Sequence, residues 1–141
     1  MKKHTLIISL AALFIACGCC AKEACSTAQK DAPSQSSKNL TESFCCNDAK
    51  KFTQCLPEKI KKEFKDKDFH EARKKLCGQM GEVAKHKYVG KLKHPMLDID
   101  LWQITFEKKN DQGKMIQQDA LFQVVSLVEN GKREVLSFGF L

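Results

Sequence analysis

At Gly81 the spacing of apolar residues changes from near four to two, and this one change dictates what the chain can build. Before it, Leu40, Phe44, Phe52 and Leu56 recur at helical intervals. Ile60 and Phe64 stand four apart, and Phe69, Ala72, Leu76, Cys77 and Met80 form a further stripe. After it come β-branched and aromatic residues with no helical stripe. Helices first and strands afterwards exclude an alternating parallel-sheet architecture. They predict an α+β fold, with N-terminal helices packed on a curved antiparallel β-meander of about four strands.

The helical part reads as three helices. Thr41 is the expected N-cap of the first, Pro57 opens the second, and Asp68 with Glu71 forms a capping-box-like start for the third. Gly78 and Gly81 close the third. Strands are expected over about 83–92, 97–106, 115–128 and 133–141, with Asn110-Asp111-Gln112-Gly113 and the strong hairpin dipeptide Asn130-Gly131 as turns. In the second strand the apolar parity switches between Leu101 and Trp102, which a β-bulge would explain. Asp98, Asp100 and Asp119 are expected on the solvated face, where strand acids usually stand.

The N-terminus carries a different message. Met1-Lys2-Lys3-His4 is a positive lead, and Thr5 to Ala16 is an uncharged apolar run too short to span a bilayer. Leu13-Phe14-Ile15-Ala16-Cys17 resembles the bacterial lipobox, with Phe14 in place of the usual Leu. The expectation is a signal peptide over 1–16, lipidation at Cys17 and a membrane anchor facing the periplasm or exterior. Cleavage after Ala21 would instead give a secreted protein. Residues 17–39 read as a lipidated flexible tether, because Lys22 to Lys38 carries Ser, Ala, Gln and Lys without a large apolar side chain. The domain is expected over 40–141, within a chain of 141 residues.

Eight cysteines in an exported chain point to an oxidising compartment. Cys45, Cys46, Cys55 and Cys77 are the disulfide candidates in the domain, and a Cys55–Cys77 bond is the first expectation. Closing a loop of about twenty residues would contribute roughly 3 kcal/mol in the chain-entropy model. Cys45 and Cys46, being adjacent, would each need a different partner. No CxxC pair within the domain and no helical His pair supports a metal site, so neither metal nor cofactor is expected.

The helical lead-in, Gly81, Trp102-Gln103-Ile104-Thr105-Phe106, Ala120-Leu121-Phe122-Gln123-Val124-Val125 and the Glu129-Asn130-Gly131-Lys132 hairpin together resemble the small nuclear transport factor 2-like (cystatin-like) cone of bacterial lipoproteins. The resemblance covers residues 40–141 and implies a pocket between the concave sheet and the helices. Tyr88 and Trp102 are its candidate lining residues. The family hosts isomerases, dehydratases, ligand binders and domains without known activity, so fold alone does not choose among them.

An isomerase of this type would need a carboxylate base and an oxyanion donor in a dry cavity. Tyr88 is the only tyrosine, Asp98, Asp100 and Asp119 are the strand acids, and no spacing makes any of them its partner. His70 lies in a charged helix, His86 in a basic run and His94 before Pro95 in a turn. No catalytic residues are assigned. The basic excess, fourteen Lys or Arg against six acids between Lys50 and His94, is interleaved with Glu58, Glu63, Asp66, Asp68 and Glu71 and reads first as a solvated helix face. Export and the lack of an aromatic platform among the lysines exclude nucleic acid.

The sequence-level reading is an exported, membrane-tethered, non-catalytic binding or structural domain of the bacterial cell envelope. Its partners would be the membrane, through the N-terminal lipid, and an envelope protein or a small apolar ligand. A pocket enzyme of isomerase or dehydratase type and a cysteine-based redox or metal-binding protein are the alternatives.

Overall fold

The computed structural model describes residues 32–141; the expected signal peptide, Cys17 and most of the expected tether lie outside them. Four helices, α1 (Gln35–Cys45), α2 (Ala49–Gln54), α3 (Glu58–Glu63) and α4 (Asp66–Met80), precede four strands. The strands β1 (Glu82–His94), β2 (Leu97–Lys109), β3 (Met115–Glu129) and β4 (Lys132–Phe140) form one antiparallel meander in the order β1-β2-β3-β4. This is the expected α+β architecture.

The helix starts differ from the sequence reading. Ser34 caps α1, its hydroxyl accepting from the Ser37 amide at 3.3 Å, so the helix reaches back into the polar stretch expected as tether. Thr41 is therefore not a cap: it lies inside α1 and is fully buried. The single helix expected from Leu40 to Leu56 is broken in two. Asn47 takes a left-handed φ of 57°, which asparagine tolerates, and Asp48 starts α2 by accepting from the Lys51 amide at 2.9 Å. In α4, Asp68 is not the cap either. It sits in the first turn and accepts from the Lys65 amide at 2.7 Å, three residues back.

Gly81 makes the change of period physically possible. Its φ of 99° ends α4 with its amide bonded to Cys77 O at 2.8 Å, and a Cβ there would collide with the carbonyl oxygen of Glu107 on β2. Asn130 and Gly131 both take positive φ, 50° and 75°, as a two-residue hairpin turn requires.

The irregularity expected near Leu101 and Trp102 is present, but on the neighbouring strand. β2 pairs with β3 in unbroken register from Leu97↔Leu127 to Lys109↔Met115, while the β1–β2 register shifts between Val83 and Lys85 and between Tyr88 and Gly90. The extra residues lie on β1, which bends the edge of the sheet. A third shift lies between Val125 and Ser126, where β3 meets β4. The parity of β2 consequently does not switch. Asp98, Asp100, Trp102, Ile104 and Phe106 are all buried on the face toward the helices, which corrects the expectation that the two acids face solvent.

The core is dominated by phenylalanine. All eight phenylalanines of the domain join it: Phe44, Phe52, Phe64 and Phe69 from the helical half, and Phe106, Phe122, Phe138 and Phe140 from the sheet. Phe44 stacks on Phe122 with centroids 5.8 Å apart, and Phe52 meets Phe69 at 4.9 Å and Phe138 at 5.1 Å. Such pairs contribute roughly 0.5–1.5 kcal/mol each beyond the area they bury.

One polar atom within this packing has no hydrogen-bond partner among the described residues, the Thr41 hydroxyl. Thr41→Val keeps the shape and removes the desolvated hydroxyl, so it should raise stability by about 1 kcal/mol. Urea unfolding of the two proteins checks this, with an increased midpoint at unchanged slope as the expected result.

Candidate functional site

The face of the sheet that meets the helices carries two distinct environments. Toward the β1–β2 hairpin it is ionic, and toward the C-terminal end of β4 it is aromatic.

The ionic part is built on β2. Asp100 is almost fully buried, and its Oδ2 accepts from both the amide and the hydroxyl of Ser34, at 3.1 and 2.9 Å. Its Oδ1 accepts from the Tyr88 hydroxyl at 3.2 Å and lies 3.6 Å from Lys91 Nζ. A carboxylate at the N-terminus of α1 also gains from the helix dipole. Next to it, the Trp102 indole N–H donates to Ser37 Oγ at 2.8 Å, so α1 is stapled to β2 at two successive inward positions. Asp98, two residues back on the same face, accepts from Arg133 Nε at 2.9 Å and from Lys91 Nζ at 3.4 Å. Lys91 is itself buried, with a side chain 5% exposed. Two acids and two cations thus neutralise one another.

Burial pushes the Asp98 pKa up, but the Arg133 hydrogen bond and the Lys91 charge outweigh it and hold the carboxyl below the usual range. Asp119 stands apart on the outer face. Its carboxylate accepts from Thr105 Oγ1 and Gln103 Nε2, both at 2.6 Å, and these bonds keep its pKa low. Tyr88 and a strand carboxylate therefore do meet, as the enzyme alternative requires. The carboxylate they share also accepts from Ser34 and is neighboured by Lys91, an arrangement that holds α1 in place.

The aromatic part encloses a cavity of about 150 Å³. Phe44, Phe52, Phe64 and Phe69 wall it from the helical side and Phe122, Phe138 and Phe140 from β3 and β4, with Ala72 and Gly139 completing the lining. No lining side chain can ionise or hydrogen-bond. Trp102, expected in the pocket, packs instead in the core beside Tyr88, with ring centroids 5.1 Å apart, and neither residue lines this cavity. The sequence reading took the helical phenylalanines only as a core face. Phe138-Gly139-Phe140, two rings on one face with a side-chain-free residue between them, was the available signal on the strand side.

The four cysteines of the described residues are free thiols, so there is no Cys55–Cys77 bond. The two lie in different surroundings, Cys55 beside Lys51 and Lys61 and Cys77 beside Arg73 and Glu82. Burial raises the pKa of both, and it pushes Cys45 up to about 12, helped by Cys46 and Glu42 against Arg73. Cys46 is exposed. Cys17, Cys19, Cys20 and Cys25 lie outside the described residues. Among the described residues, no three His, Cys, Asp or Glu side chains gather as a metal-binding group, and no helix is long and apolar enough to cross a membrane.

Comparison with known proteins adds little. No family model and no curated protein matches the chain. Among solved structures, a putative calcium/calmodulin-dependent protein kinase II association domain from Xanthomonas campestris is similar at 10% identity with a TM-score of 0.37, over 73% of this chain and 79% of that one. A likeness at that score carries no argument about function.

The ion cluster has a pH signature. A carboxyl whose folded pKa lies below its unfolded one contributes stability above the unfolded value, and that contribution disappears as pH falls through the folded value. Wild-type stability should therefore fall from about pH 4 downward, toward the depressed pKa of Asp98. Asp98→Asn leaves Lys91 buried without one partner and should cost about 3 kcal/mol at pH 7. The gap to wild type should narrow on acidification to pH 2, measured by urea unfolding across the pH series.

Proposed function

We propose that this chain is an exported, lipid-anchored, non-catalytic binding domain of the bacterial cell envelope that holds a small apolar group in its phenylalanine cavity. The observation that carries the reading is the lining itself: seven phenylalanine rings, an alanine and a glycine around about 150 Å³. Such a lining offers no nucleophile, acid or base, and an apolar cavity of about that volume stays dry and accepts a benzene-sized guest. The cavity lies between the sheet and the helices, where the nuclear transport factor 2-like resemblance implies a pocket. Lipidation at Cys17 and removal of residues 1–16 rest on the positive lead, the apolar run and the lipobox-like Leu13-Phe14-Ile15-Ala16-Cys17.

Two measurements test the two halves of this reading separately. Ala72 lines the cavity yet is exposed on α4, so Ala72→Leu should plug the mouth without disturbing the core. Benzene or indole should raise the melting temperature of wild type and have at least tenfold less effect on apparent affinity in Ala72→Leu. Equal responses would remove the cavity as the binding site. For the anchor, Cys17→Ser expressed in a bacterial host should move the protein from the membrane fraction to the soluble fraction. Continued tight membrane association would defeat the lipoprotein assignment.

A further inference from the structure

A second concavity adjoins the first. Between the end of α2, α3 and the start of α4 lies an open bowl of about 500 Å³, lined by Thr53, Gln54, Lys61, Phe64, Lys65, Asp66 and Lys67. Phe64 belongs to both linings. The same two chain segments build both walls. Phe52 faces the apolar cavity while Thr53 and Gln54, the next residues, face the bowl; Phe64 and Phe69 bracket Lys65, Asp66 and Lys67 in the same way. The step from rings to ammonium groups takes place within one or two residues of chain at Phe64–Lys65 and Lys67–Phe69, while the α2 wall passes from Phe52 to the neutral Thr53 and Gln54.

The charge of the bowl is unbalanced. Its one carboxylate, Asp66, accepts from Thr53 Oγ1 at 2.8 Å, which joins α2 to the start of α4. Lys65 Nζ donates to the carbonyl oxygen of Lys61 at 2.7 Å and has no carboxylate partner among the described residues. Lys61 pairs with Glu58 at 2.9 Å and Lys67 with Glu71 at 3.6 Å, both carboxylates being highly exposed and outside the bowl's lining. Exposed pairs of this kind are weak and readily exchanged for a better anion.

Building on the apolar-cavity reading above, we infer that the ligand is a small amphiphilic anion, its benzene-sized or short alkyl group in the phenylalanine cavity and its carboxylate or phosphate in the bowl formed by Lys61, Lys65 and Lys67. Phe64 lines both sites, and the ligand would run past its ring from the cavity into the bowl. A diacyl lipid does not fit, because about 150 Å³ of apolar space cannot take two long chains. The basic helix face, read from sequence as a solvated surface, acquires a specific use at this one place.

The test compares 4-phenylbutyrate with 4-phenylbutan-1-ol, matched in their apolar part and differing in charge, by isothermal titration calorimetry on the full chain at low ionic strength and pH 7. Wild type should prefer the acid by about fivefold or more, and the preference should shrink as salt is raised. In Lys61→Gln/Lys65→Gln the acid-to-alcohol ratio should fall to near one, whereas Lys114→Gln, in the β2–β3 turn, should keep the wild-type ratio. Equal affinity for acid and alcohol in wild type, or a ratio unaltered by the double substitution, would overturn the anion inference; alcohol binding that is still lost in Ala72→Leu would then leave the apolar-cavity reading standing. Failure of both compounds to bind wild type would overturn both.

Discussion

The contact between helical and strand phenylalanines is what the rest of this structure depends on. Four short helices with little intrinsic stability would not persist alone, since isolated helices of this length are marginal in water. They are held because Phe44, Phe52 and Phe64 meet Phe122, Phe138 and Phe140 on β3 and β4, while Phe69 packs on Phe44 and Phe52 and Leu40 joins the same core. The rings are set at varied angles, from 15° between Phe44 and Phe122 to 86° between Phe64 and Phe138. Among them lies the cavity of about 150 Å³ where the binding proposal begins.

At the other end of the same face, ionic contacts take the place of rings. Asp100 satisfies the start of α1, and Asp98, Lys91 and Arg133 tie β2 to the two edge strands β1 and β4. A buried ion set contributes little net stability relative to apolar packing, but removing one member is costly, so it fixes which way α1 enters and where β1 and β4 lie. Tyr88 and Asp100 stand at hydrogen-bond distance, and Asp100 also accepts two bonds from Ser34 with Lys91 close by.

Much of the fold was legible because it rests on local rules. The helix-to-strand change at Gly81, the Asn130-Gly131 turn and the four strands follow from period and turn chemistry. The differences have two causes. Asn47 and Asp48 interrupt an evenly spaced apolar stripe through local chemistry, a left-handed asparagine and a cap on the Lys51 amide. Ser34, which caps α1 while bonded to Asp100, and the bulges, which fall on β1 instead of β2, depend on partners distant in sequence. Asp98 and Asp100 were placed on the wrong face for the same reason: a buried acid is costly alone and acceptable only where Arg133, Lys91 and the start of α1 converge on it.

By itself the sequence determined the order of elements, the hairpins, the supply of phenylalanine and the excess of lysine before Gly81, because these depend on residue type and spacing along the chain. Only the tertiary structure decided that the rings leave a cavity on the β4 side, that Trp102 belongs to the core, and that Phe64 joins the cavity to a bowl of lysines. Cavities and charge pairs are set by distances between segments far apart in the chain, and the helix and strand periods carry no record of those distances.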